Sequence, residues 1–136
     1  MTRNILVPVD LSHEGGATAA VQHAKQFDPD AKITILHVLP IIPDYAASNI
    51  PEDIMLNYGS EAQKKLKDFA ENHAAGAKTV IKDGHPGREI LEFAGGNDID
   101  MIVMSSHDPR WTDRVLGSVA AYVVRHAHCS VLVVRE

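Results

Sequence analysis

Met101-Ile-Val-Met-Ser-Ser-His-Asp-Pro-Arg-Trp-Thr-Asp-Arg-Val-Leu-Gly-Ser-Val119 is the stretch from which the fold can be read. Met101 to Met104 is an unbroken apolar run, which reads as a buried strand. A polar loop follows from Ser105 to Asp113. Gly117-Ser118 then opens an apolar segment, Val119 to Val124, with helical character. Strand, polar loop, Gly-Ser and helix together make a seat for an anion. Glycine lets a ligand approach the backbone. The first N–H groups of a helix lack internal partners and sit at the positive end of its dipole, so phosphate is the natural guest.

Working outward, the same alternation recurs. Asn4 to Val9 is almost wholly apolar, as expected of a strand covered on both faces, and Pro8 and Asp10 end it. Ser12 is placed to cap a helix with Glu14 in its first turn. Ala17, Ala20, Val21 and Ala24 give that helix one apolar face. Ile33 to Leu39 reads as a second buried strand. Pro40 to Pro51 holds three prolines and reads as a loop. A helix follows, with Ala62, Leu66, Phe69, Ala70 and His73 inward and Glu61, Lys64, Lys65, Lys67 and Asp68 in water; Gly76 ends it. Ala77 to Lys82 is the third strand. Pro86 starts a helix that buries Ile90, Phe93 and Ala94 and stops at Gly95-Gly96. Val119 to His126 is the last helix and Ser130 to Arg135 the fifth strand. Strands alternating with helices imply right-handed crossovers and an open parallel sheet with helices on both faces. Ligands of such sheets lie beyond the carboxyl ends of the strands, where the strand order reverses.

Composition sets bounds on function. The chain has 136 residues, 45% hydrophobic and 23% charged, with a net charge of −5, as expected of one soluble domain spanning 1–136. It carries no basic run, which argues against nucleic acid, and no apolar stretch of membrane-spanning length. The single Cys129 cannot form an internal disulfide, and no signal peptide precedes the first strand; both fit a cytoplasmic setting. There is no G-x-x-x-x-G-K-S/T, no G-x-G-x-x-G after the first strand and no G-x-S-x-G elbow. No nucleophile–base pair stands out, so no catalytic residue is assigned.

The 101–119 stretch resembles the nucleotide loop of the universal stress proteins, whose usual pattern is Gly-x2-Gly-x9-Gly-Ser/Thr. Val123-Val-Arg-His-Ala-His-Cys-Ser-Val-Leu-Val-Val-Arg135 looks like the family's last helix and strand, and Ile5-Leu-Val-Pro-Val-Asp10 like its first strand. Ser105 and Asp108 stand where the first two glycines would be, and the gap from Asp108 to Gly117 is one residue short. This variant looks most like the bacterial F/G-type subgroup. The resemblance implies a five-stranded parallel α/β sheet in the order 3-2-1-4-5, the Rossmann-like fold of the adenine nucleotide alpha hydrolases. It also implies ATP or another adenine nucleotide as ligand, with or without Mg²⁺. The switch point then lies between the first and fourth strands, which end at Asp10 and Ser105.

On this resemblance Asp10 contacts the base or ribose; alternatively it only ends a strand and caps a helix. Pro8 and Val38 line the adenine pocket or are plain core, and Val9, Met104 and Val119 are expected beside them. Ser105 lies at the loop entrance. His107 is either a phosphate or ribose donor or a surface loop histidine. Asp108 would repel phosphate by roughly 4 kcal/mol per close charge pair. It therefore points away, holds Mg²⁺, or meets a ligand with fewer phosphates than ATP. Arg110 and Arg114 could compensate, or are solvated loop residues. Gly117 and Ser118 offer backbone to phosphate, and the Ser118 hydroxyl is placed to cap the last helix. His126, His128 and Cys129 could suggest a metal cluster, but a helix-end imidazole and a buried thiol explain them better. His37 reads as a satisfied core histidine and His85 as a turn residue.

Three functions remain open. The first is a regulatory nucleotide-binding homodimer in stress response, paired through Ser130 to Arg135, since a flat apolar edge strand favours a partner. The others are a nucleotide-free interaction module and a weak ATPase or self-modifying enzyme.

Overall fold

A computed structural model of the chain describes residues 2–106 and 116–135. Its five strands are β1 (Asn4–Pro8), β2 (Lys32–Leu39), β3 (Lys78–Asp83), β4 (Met101–Ser105) and β5 (Ser130–Val134). The helices are α1 (Glu14–Phe27), α2 (Asp44–Ala47), α3 (Glu52–His73), α4 (Pro86–Gly96) and α5 (Ser118–His126). The strands form one sheet in the order β3-β2-β1-β4-β5, and every neighbouring pair is parallel. This is the order that the resemblance implied.

The central strand shows why an apolar run without alternation belongs here. Ile5, Leu6 and Val7 are all fully buried. Successive side chains point to opposite faces, so Ile5 and Val7 pack with α1 and α3 through Ala20, Val21, Leu66 and Phe69. Leu6 packs on the other side with Ile90 and Phe93 of α4 and Ala120 and Val123 of α5. Strand β4 divides the same way, with Val103 in the first cluster and Ile102 and Met104 in the second. Fully burying one such side chain contributes about 1.5–3 kcal/mol. The two half-cores hold the sheet between layers of helices.

Several local expectations are corrected. Ser12 does not cap α1, which begins at Glu14 behind His13 with no side-chain cap; the Ser12 hydroxyl is engaged by Asp10 instead. Ser118 is the first residue of α5 rather than its cap. Gly117 holds the cap position and gives no side-chain cap. The proline-rich segment contains a short helix, α2, started by Pro43 with Asp44 in its first turn. Helix α3 stops at His73. Gly76, at φ +88°, shapes the turn into β3. Strand β5 stops at Val134, one residue before Arg135, and β1 stops at Pro8. Proline has no N–H to carry the ladder, yet Val9 still donates to the Leu36 carbonyl at 2.9 Å.

Candidate functional site

The carboxyl ends of β1, β2 and β4 open into a cleft of about 860 Å³, within the range of small-molecule sites. Its floor comes from strand ends. Pro8, Val9 and Asp10 close β1, Val38 lies near the end of β2, and Met104 and Ser105 finish β4. Gly117, Ser118 and Val119, at the start of α5, line the same cleft. Nine of the expected site residues thus share one cavity. The expected roles of His107, Asp108, Arg110 and Arg114 lie outside the described residues.

Two features give the cleft its polarity. Asp10 is exposed, and its Oδ1 accepts from the Ser12 N–H at 3.0 Å and the Ser12 hydroxyl at 2.5 Å. The strand therefore ends in an Asx-type turn, and the His13 N–H closes it on the Asp10 carbonyl at 2.9 Å. In the same cleft, α5 begins behind Gly117, which gives no side-chain cap. The donors of its first turn, lacking internal partners, are free of a competing side chain from the cap residue. An uncapped helix start beside a buried glycine fits an anionic group.

Sequence reasoning missed part of the lining. His37 does have the partner expected of a core histidine, since its Nδ1 donates to the Val9 carbonyl at 3.0 Å, but it is half-buried and also faces the cleft. Tyr58, Glu61, Ala62 and Lys65 of α3 line it too. Positions 58, 61, 62 and 65 are spaced as one helical face. His85 is more than a turn residue. Its Nδ1 accepts the Arg88 N–H at 3.2 Å and caps α4. Among the described residues no group of three His, Cys, Asp or Glu side chains is placed to hold a metal, so His126, His128 and Cys129 form no such cluster. Among them, too, no helix is long and apolar enough to cross a membrane.

Comparisons with known proteins agree with this architecture. Residues 1–135 match the model of the universal stress protein family. Universal stress protein MJ0531 of Methanocaldococcus jannaschii is 34% identical over 98% of this chain and 82% of its own length. Universal stress protein G of Salmonella typhimurium is 30% identical over 99% of this chain and 100% of its own, in keeping with the F/G-type reading. Among solved structures, hypothetical protein MJ0577 superposes with a TM-score of 0.79 at 27% identity, covering 100% of this chain and 97% of that one. UspA from Lactobacillus plantarum gives 0.69 at 30%, covering 98% and 97%. A universal stress protein in complex with cAMP shares the fold, with a TM-score of 0.70 at 23% identity, covering 97% and 96%. On the matched family model and these relatives, the chain belongs to the universal stress protein family.

Proposed function

We propose that the cleft binds an adenine nucleotide and that the protein acts as a regulatory or sensing module in stress response rather than as a dedicated enzyme. The observation behind this reading is the convergence of Asp10 and Gly117-Ser118 on one cavity at the sheet's switch point. Asp10 meets a polar edge of the base or ribose. Pro8, Val9, Val38, Met104 and Val119 supply apolar walls for the purine. The N–H groups at the start of α5 take the phosphate, with Ser105 at the entrance and His107, Asp108 and Arg110 proposed to complete the loop, with or without Mg²⁺. The cAMP carried by a neighbour of the same fold agrees with this ligand class.

Isothermal titration with ATP, ADP and AMP, each with and without Mg²⁺, tests the reading. We expect binding of at least one, and its loss in a folded Gly117→Val variant. A steady-state ATPase assay with that variant as control checks for slow turnover.

A second reading rests on Ser105. This half-buried side chain lines the cleft where the family pattern has glycine, and it narrows the approach to the backbone. That favours a nucleotide-free interaction module, and saturable binding in the titration eliminates it. Under either reading we place a homodimer contact on β5, an edge strand with Val131, Leu132 and Val133 only half-buried. Only monomer in sedimentation at micromolar concentration counts against it. A single domain over 1–136 and a cytoplasmic setting belong to the same proposal.

A further inference from the structure

Helix α3 has two uses along its length. Toward its C-terminal end it packs Leu66, Phe69 and Ala70 into the core. One turn earlier, the adjoining row Tyr58, Glu61, Ala62 and Lys65 meets the cleft instead. These positions recur at i, i+3, i+4 and i+7 and so share one helical face.

Charge singles out one member of this row. The ionisable side chains lining the cleft among the described residues are Asp10, His13, His37, Tyr58, Glu61 and Lys65. Lys65 is the permanent cation among them. Glu61 precedes it by four residues, the spacing and direction that favour a helical ion pair. That pair is not made. Among the described residues the one salt bridge joins Arg3 and Asp28, and Lys65 has no hydrogen-bond partner. An ammonium group with no partner among the described residues, lining the same cleft as the start of α5, suits a phosphate oxygen.

We infer that Lys65 is a specificity-determining residue of the cleft. It pairs with the phosphate of the bound nucleotide from the α3 side, so that affinity rises with phosphate charge and adenosine is disfavoured. This inference rests on the nucleotide-binding reading above.

The test is calorimetric titration of adenosine, AMP and ADP into the wild type, Lys65→Ala and Lys65→Arg at low and high salt. Lys65 is exposed, so both variants should fold, and circular dichroism checks that they do. Lys65→Ala should weaken AMP by about fivefold and ADP by more, with adenosine unchanged. Lys65→Arg should retain wild-type preference, and added salt should shrink the difference. Equal losses for adenosine and AMP, or AMP affinity unchanged in Lys65→Ala, would overturn the assignment while leaving the nucleotide reading intact. A wild type that binds none of the three removes both, and is distinguished because no variant is then needed to see it.

Discussion

The carboxylate of Asp10 is held by the residue two positions on: its Oδ1 accepts both the backbone N–H and the hydroxyl of Ser12. One oxygen is committed to the turn, and the other has no hydrogen bond among the described residues. The turn thus fixes the plane of the carboxylate and leaves one acceptor for the cleft. Removing the hydroxyl leaves the charge but loosens its orientation. Ser12→Ala should therefore weaken adenosine and AMP alike, by about fivefold, the worth of one hydrogen bond. Titration checks this. A loss that grew with phosphate number would mean that Asp10 does not face the nucleoside.

The His37–Val9 contact makes a separate prediction, about stability. The ring Nδ1–H donates across β1 and β2 to a carbonyl at the end of the sheet. His37→Ala leaves that carbonyl without its donor and should cost about 1 kcal/mol, read as a lower urea midpoint with an unchanged slope. An unchanged midpoint would show that water takes the donor's place.

The sheet was legible because its strands carry no alternation: Ile5-Leu-Val7 and Met101 to Met104 demand cover on both faces, and parallel strands provide it. Asp10 and Gly117-Ser118 were legible because strand ends and helix starts are where such sheets hold ligands. The α3 wall was not. Its 22 residues run about 33 Å, farther than β2 with 8 residues, so the helix is long enough to pass the end of the sheet. Glu61 and Lys65 are charged and exposed, so by pattern they look like ordinary solvated positions, and only the folded chain brings them to the cleft. The role of Ser12 was misread because a serine before a helix is a cap by local rules, and here a nearer acceptor wins. Helix α2 was hidden by the prolines around it, one of which starts it.

At Gly87 helix α4 lies close against Tyr122 of α5. A Cβ there would clash with Tyr122 Cδ1 and lie 2.9 Å from Cγ. The ring cannot easily swing away, since it meets His85 at 5.2 Å and His126 at 4.7 Å between centroids, both in tilted contact. Gly87→Ala should destabilise the fold by about 1–3 kcal/mol, measured by urea unfolding. Adding Tyr122→Leu, which removes the obstructing ring, should recover part of the loss. Full wild-type stability in the single variant would mean that the helices separate at little cost.

Cys129, half-buried just before β5, gives the last prediction. Burial pushes its thiol above the ordinary value of 9.0; the Asp100 carboxylate pushes the same way, and its own backbone hydrogen bond opposes them. The folded state therefore holds this proton more tightly than the unfolded state. Well below pH 9.0 both states keep it and Cys129 adds no pH dependence. Above that value the unfolded thiol ionises first, so stability falls as pH rises through the folded pKa. Urea midpoints should decline over that alkaline range, and Cys129→Ala should remove part of the decline. The thiolate is also the reacting species. Iodoacetamide at about pH 8 should therefore label native protein more slowly than protein unfolded in urea, read by mass spectrometry. Equal labelling rates would mean that the thiol is solvated and ionises freely in the fold.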